Sequence, residues 1–443
     1  MQRTLFLSIS IAVLIVFAIG LIFYQGMSPA ISILTPGPRI LVEEIPGSKF
    51  HSPDGTWWGY NQSKIVRFQD NVFSYFIDNN DESSKTVSQF TILKKHGDDA
   101  WERGPSFPTS RPGNILVDST GVLHAFVFEP VNAARNDSWG QLVHYTFPHA
   151  ATGDITTFTQ EIVIDNTGRQ ETVNIRLGAA ISEDDTMALG FGLPFGVPPY
   201  AGQSEHLYFK KPHELKWQHL VAGQKLGHDF YYPFVVATKN EFYLLPVQDD
   251  FADDGNPATY DNMYQKINLF SFAGGQWSNT PIADLSNHPL AKKRPRLLEQ
   301  EDLFMDAQGT LHVIYKEFLD PQYSYKVTAH RHVQINSKGK QETTINLGRD
   351  DINWIRLFEV QGELHYFANT FDSYYWAKVS KNELSKLDIP SDARGMYPYI
   401  AKVHSGLHEG KNIDVLLLAA DSKMYEDGAQ KNYYLRIPTE YFR

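Results

Sequence analysis

The sequence predicts an all-β fold: a β-propeller of seven four-stranded blades (six is the alternative count), closed by an N-terminal strand and preceded by one transmembrane helix. Three observations predict it. First, Asp118-Ser-Thr-Gly-Val-Leu-His124 and Asp306-Ala-Gln-Gly-Thr-Leu-His312 share the pattern Asp-x-x-Gly-x-Leu-His, and Gln361-Gly-Glu-Leu-His365 is a weaker third copy. Each copy joins two apolar runs through a tight turn, in which Asp bonds the turn backbone and Gly supplies the positive φ. Second, strand-like runs recur in units roughly 45–60 residues apart, the mark of a repeat architecture. Third, the last unit ends one strand short while an isolated strand stands near the start. A ring closed by sharing that blade leaves only short, protected edges.

Taken in order, Leu5 to Tyr24 is an uncharged apolar run of about twenty residues, long enough to cross a hydrocarbon core. Arg3 precedes it, which predicts an anchor over residues 1–26 with the C-terminal body extracytoplasmic, periplasmic or extracellular. Cleavage after Ala30 is the alternative. Residues 27–38, with Pro29, Pro36 and Pro38, read as a linker, and 39–443 as the propeller. Arg39–Ile45 is the closing strand. Ile65–Phe68 and Val72–Ile77 form the first hairpin across Gln69-Asp-Asn71. The Asp118 hairpin continues into strands at Gln141–Phe147 and Phe158–Ile164. Further units start near Asn174, Tyr232, Leu303, Trp354 and Tyr399, and outer strands begin near Trp101, Trp217 and Trp277. The last unit runs through Ile413–Ala420 and Tyr433–Ile437.

Composition narrows the function classes. A net charge of -11 argues against a general nucleic-acid-binding surface. Without cysteine there is no disulfide or lipoprotein attachment, so stability rests on the core. There is no P-loop, no dinucleotide-binding glycine signature and no nucleophile elbow. No HxxxH or Cys/His spacing marks a metal site, and His330-Arg-His332 alone is a weak one. The acidic stretches Asp78–Glu82 and Asp249–Asn256 read as solvated loops with only a weak case for structural calcium. No cofactor is expected.

The Asp-x-x-Gly-x-Leu-His hairpins resemble those of the BNR-repeat, sialidase-like propellers, a group that includes ulvan lyases and related polysaccharide lyases. The strict box of sialidases, Ser-x-Asp-x-Gly-x-x-Trp, is approached only by Ser52-Pro-Asp-Gly-Thr-Trp57, where the Gly comes one place early and a residue is missing. The resemblance implies a ligand site on the central axis and the use of His, Tyr and Arg in that cleft.

Residues where innermost strands begin gather at one end of a propeller axis. Arg111, Arg176, Arg296, Arg356 and Tyr397 occupy such positions and are the expected substrate-binding residues. Guanidinium forks suit carboxylate or sulfate. His228, Tyr231 and Tyr232 are the expected catalytic cluster, since removing the proton α to a uronate carboxylate needs a base near neutrality and an acid for the leaving oxygen. The alternative is that the tyrosines pack in the core and His228 caps a strand. Glu299, Glu301 and Asp302 could serve a glycosidase only if two of them faced each other across a cleft. His124, His312 and His365 recur at one place in the repeat and are therefore expected to be structural. The expected partners are an anionic polysaccharide or surface glycan, and the membrane through the N-terminal helix. The leading function is lyase-type β-elimination of a uronate glycan. A sialidase-like glycoside hydrolase, or a non-catalytic propeller binding glycan or protein, is the alternative.

Overall fold

The computed structural model describes residues 39–45, 59–78, 88–109, 112–131, 140–165, 177–194, 203–226, 228–250, 262–294, 296–370, 373–381, 383–390, 397–402, 410–418 and 431–442. Within them, strand β1 (Leu41–Glu44) comes first and is set aside for the end of the chain. Blade 1 is β2 (Ile65–Phe68), β3 (Asn71–Asp78), β4 (Ser88–His96) and β5 (Glu102–Thr109). Blade 2 is β6 (Asn114–Val117), β7 (Leu123–Pro130), β8 (Gly140–Phe147) and β9 (Thr159–Asp165). Blade 3 is β10 (Gly178–Ile181), β11 (Met187–Pro194), β12 (Gln203–Lys210) and β13 (Gln218–Leu226). Blade 4 is β14 (His228–Ala237), β15 (Glu241–Asp250), β16 (Asn262–Ala273) and β17 (Gln276–Asp284). Blade 5 is β18 (Leu298–Met305), β19 (Leu311–Glu317), β20 (Ala329–Asn336) and β21 (Gly339–Ile345). Blade 6 is β22 (Trp354–Val360), β23 (Glu363–Asn369), β24 (Tyr374–Lys378) and β25 (Ser385–Lys386). Blade 7 is β26 (Tyr397–Ile400), β27 (Asn412–Leu418) and β28 (Tyr433–Pro438), completed by β1.

First strands touch in succession from β2 round to β26, and β2 meets β27 across the closure, so these strands line the axis. Closure is antiparallel, with Leu41 opposite Arg436 and Glu44 opposite Tyr433. It is reinforced from blade 1, where the buried Lys95 ammonium lies 3.0 Å from Glu43 of β1.

Alternation along the strands sends apolar side chains to both faces of each sheet, because both faces meet a neighbouring blade. Seven apolar clusters result among the described residues, one at each interface between successive blades. The closing one packs Ile65 and Phe76 of blade 1 against Leu416 and Tyr434 of blade 7.

The repeated turn works as its residues predict. Asp118 Oδ1 accepts from the backbone N–H of Thr120 (2.9 Å) and Val122 (2.8 Å), and Gly121 has φ 86. Asp306 does the same for Gln308 (3.0 Å) and Thr310 (2.7 Å), with Gly309 at φ 78. The histidine of each motif joins a buried chain. Asp306 Oδ2 lies 3.0 Å from His312 Nε2, and His312 Nδ1 lies 2.8 Å from His332 Nε2. His332 Nδ1 in turn lies 2.8 Å from the Tyr366 hydroxyl. Two neutral rings satisfy every link if Tyr366 donates to His332, His332 to His312 and His312 to Asp306. His124 and His144 repeat the pair at 2.9 Å in blade 2, and His144 Nδ1 meets Glu161 at 2.8 Å. His365 instead binds the Glu363 carbonyl at 2.8 Å.

One part of the expected fold is corrected. Among the described residues no helix is long and apolar enough to cross a membrane, and the only helical elements are short 3-10 turns such as Ala150–Thr152. The span expected over Leu5–Tyr24 lies outside the described residues, as does most of both acidic stretches.

Candidate functional site

Side chains at the inner strands of blades 1, 2, 5 and 6 tie the inner strands together across the axis. Asn61 Nδ2 donates to the Pro233 carbonyl (2.9 Å), Gln62 Nε2 to Pro112 (2.8 Å) and Asn114 Nδ2 to Leu177 (3.0 Å). Gln300 Nε2 donates to Tyr232 (3.0 Å). Arg356 completes the set, donating to the carbonyls of Pro398 (3.1 Å), Tyr60 (2.7 Å) and Glu301. This polar layer divides the axis into a leading end, where inner strands begin, and a turn end, where they reach their hairpin turns.

The leading end carries a continuous line of charge and aromatic surface. Tyr60, just before β2, stacks on Tyr232 with ring centroids 4.8 Å apart and meets the Trp354 ring edge-on at 5.3 Å. Tyr397 meets Trp354 at 5.0 Å. Lys316, at the end of β19, places its ammonium 3.6 Å from the Trp354 ring centroid and 3.2 Å from Glu299 Oε2. Arg296 lies 3.6 Å from Glu299 Oε1, with its guanidinium 4.7 Å from the Tyr264 ring centroid.

The electrostatics follow from burial and pairing. Burial opposes ionisation of Glu299, but Lys316 and Arg296 outweigh it and hold the carboxyl below its usual range. Burial likewise pulls the Lys316 ammonium down, against the pull of Glu299 and Glu301. The Tyr60 hydroxyl is pushed well above its ordinary value by burial and then by Glu299, Tyr264 and Tyr232, so it stays protonated at neutral pH. Among the described residues Tyr60 Oη and Trp354 Nε1 are buried polar atoms without a hydrogen-bond partner. Trp101 Nε1, Glu205 and Trp376 Nε1 are further examples elsewhere in the ring.

The expected site residues fall into three groups. Arg111 and Arg176 lie outside the described residues, and of His228 and Tyr231 only the backbone in β14 is described. Arg296, Tyr232 and Tyr397 are brought together at the leading end. Two of the expected residues are enclosed by other parts of the chain. Arg356 is almost wholly buried and its guanidinium donates to three carbonyls, which ties blades together. Tyr232 has φ 52 at a bulge between Tyr231 and Phe234, and its ring is buried against Tyr60 as a packing partner. Glu301 and Asp302 are also fully buried. Glu301 holds His330 Nδ1 (2.7 Å) and the Ile355 N–H (3.2 Å), while Asp302 holds the Leu357 N–H (2.8 Å) and Lys402. They bind blade 6 to blade 5 and do not face each other across a cleft. Tyr60, Lys316, Trp354 and Tyr264 were not among the expected residues.

A cavity of about 720 Å³ reaches the turn end, lined by Lys64, Phe234, Asp302, Tyr399 and Lys402 among others. Its Lys402 ammonium is bound to Asp302 and to the Leu303 carbonyl at 2.8 Å. No group of three or more possible metal ligands occurs among the described residues.

No family model matches the chain, and no curated protein matches it. Solved structures do. An ulvan lyase of polysaccharide lyase family 25, bound to -[GlcA(1-4)Rha3S]-, superposes with a TM-score of 0.55 at 12% identity, covering 86% of this chain and 92% of that one. The polysaccharide lyase Uly1 superposes with a TM-score of 0.54 at 11% identity, covering 85% and 90%. A Trypanosoma rangeli sialidase is a looser likeness, with a TM-score of 0.42 at 10% identity over 78% and 60%. At this identity the two lyase superpositions show a shared fold and nothing further.

Proposed function

We propose that the leading end binds an acidic polysaccharide and cleaves it by β-elimination next to a uronate. The observation that carries this reading is the line Arg296–Glu299–Lys316–Trp354, which ends beside two buried donors without partners, Tyr60 Oη and Trp354 Nε1. Arg296 takes the uronate carboxylate, held in place by Glu299 and the face of Tyr264. Neutralising that carboxylate lowers the cost of the carbanion-like state when the α-proton leaves. His228, on the strand that opens blade 4, takes that proton. The electron pair becomes a carbon–carbon double bond as the carbon–oxygen bond of the linkage breaks. The departing oxygen receives the Tyr60 proton, and solvent returns the proton from His228 to Tyr60. Tyr231, on the same strand as His228, is the second hydroxyl to examine as the acid. Lys316 is a positioning residue that acts through Glu299. The ligand bound to the ulvan lyase, a glucuronate joined to a sulfated rhamnose, supports this substrate class.

Hydrolysis has less support, because Glu301 and Asp302 are occupied inside the protein. The test is ultraviolet absorbance during incubation of the full chain with a panel of uronate polysaccharides. A rise that is lost in Arg296→Ala and in His228→Ala supports elimination. Calorimetric binding without any rise turns the site into a binding module, and neither binding nor a rise overturns the reading.

A further inference from the structure

We infer that Tyr323 and Tyr325 form an outer sugar-stacking subsite at the rim of the leading end, a reading that rests on the acidic-glycan function proposed above. Both lie between β19 and β20, and their exposures, 62% and 75%, set them apart from the buried Tyr60, Tyr232 and Tyr264 of the centre.

The backbone beneath these rings is tied at many points. Phe318 N donates to the Leu297 carbonyl (2.9 Å), and Thr328 N donates to Glu317 (2.8 Å). Between those anchors, Asp320 Oδ1 accepts from Gln322 N (2.8 Å) and Tyr323 N (3.0 Å). Lys326 lies 3.3 Å from Asp320, and Arg294 Nη1 donates to the Tyr323 carbonyl (3.3 Å). The segment therefore presents two large rings to water from a fixed base, and little ordering is left to be done when a ligand arrives.

Arg296 indicates what the rings receive. Its guanidinium lies 6.0 Å from the Tyr325 ring centroid and 4.7 Å from that of Tyr264, and Glu299 holds it at 3.6 Å. A pyranose has a flat C–H face that matches the negative face of an aromatic ring, while its acidic substituent points outward. A sugar stacked at Tyr325 delivers a carboxylate or sulfate to Arg296, and the chain continues inward along Glu299, Lys316 and Trp354. Together these residues define an acidic glycan laid radially over blade 5, with one unit gripped outside the centre.

The experiment is calorimetric titration of the full chain with uronate oligosaccharides of increasing length, repeated for the double variant Tyr323→Ala, Tyr325→Ala and for Tyr325→Phe. Wild-type affinity should rise with length. The double variant should bind the longest oligosaccharide about tenfold more weakly, as expected for losing one aromatic stack. It should bind the shortest as wild type does, and Tyr325→Phe should behave as wild type throughout. An unchanged length dependence in the double variant overturns the subsite alone, and so does an equal loss at every length. A wild-type chain that binds no member of the series overturns the acidic-glycan reading and the subsite with it.

Discussion

Lys316 Nζ lies 3.6 Å from the centroid of the Trp354 ring and 3.2 Å from Glu299 Oε2, with the lysine only 3% exposed. A cation held against an aromatic face away from water contributes about 2 kcal/mol. Losing it also leaves Glu299 buried, with Arg296 at 3.6 Å as its remaining ion-pair partner among the described residues. Lys316→Met should therefore lower the unfolding free energy by about 3–5 kcal/mol. Urea denaturation checks this, and adding Glu299→Gln should recover part of the loss.

Arg356 gives a prediction that separates structure from substrate contact. Its guanidinium donates to carbonyls in blades 5 and 7 and to Tyr60, ahead of blade 1. Arg356→Leu should strand three buried acceptors and cost about 3 kcal/mol or more. Scanning calorimetry should show a lowered midpoint. Glycan affinity measured well below that midpoint should stay near wild type, whereas a large affinity loss in a folded variant would restore Arg356 to the substrate site.

The buried histidines set an acid limit. Burial first, then His124 and Lys210, holds His144 near 4 against an ordinary 6.5, with Glu161 opposing. Burial and His312 hold His332 near 3. These folded-state values are depressed, so on acidification the unfolded chain takes up protons that the folded chain refuses. Stability from these rings is complete above about pH 6.5 and falls as pH drops toward about 4. Unfolding free energies measured across that window should slope downward toward acid, with a shallower slope in His144→Gln.

Ring closure can be tested at Glu43. This carboxylate on the closing strand is the partner of buried Lys95 in blade 1. Glu43→Ala takes the carboxylate from that ammonium, which keeps its bond to the Asp99 carbonyl, and should cost about 1–3 kcal/mol. Faster unfolding in a stopped-flow denaturant jump is the expected readout, since the closing strand holds the ends of the ring together.

Much of the ring was legible because its signals are local. The Asp118 and Asp306 motifs specify a turn from residues two to four apart, and Arg39–Ile45 stood out as a strand without a neighbour. The centre was less legible because its members come from unrelated places in the repeat. Tyr60 precedes its inner strand, Lys316 ends a second strand, and Arg296 precedes β18. Bulges between Tyr231 and Phe234 and between Gln300 and Asp302 shift the register by blade-specific amounts. No periodicity in the sequence records those shifts. Arg356 sits where an inner strand begins, and the three carbonyls around it come from segments that are distant in sequence. One available signal was Lys316 itself, a cation directly after the apolar run Leu311–Tyr315, where burial demands a carboxylate partner.

The pairing of Leu41 with Arg436 also fixes an order of events during synthesis. Strand β1 leaves the ribosome first among the described strands and β28 last, so β1 has no partner until all the other described strands have emerged. Blades 1 to 6 are built from neighbouring segments and can form as they appear. The seventh cannot, and a nascent chain carries one unfinished sheet throughout translation. β1 is only four residues long and only partly buried, which limits what that waiting strand offers to other chains.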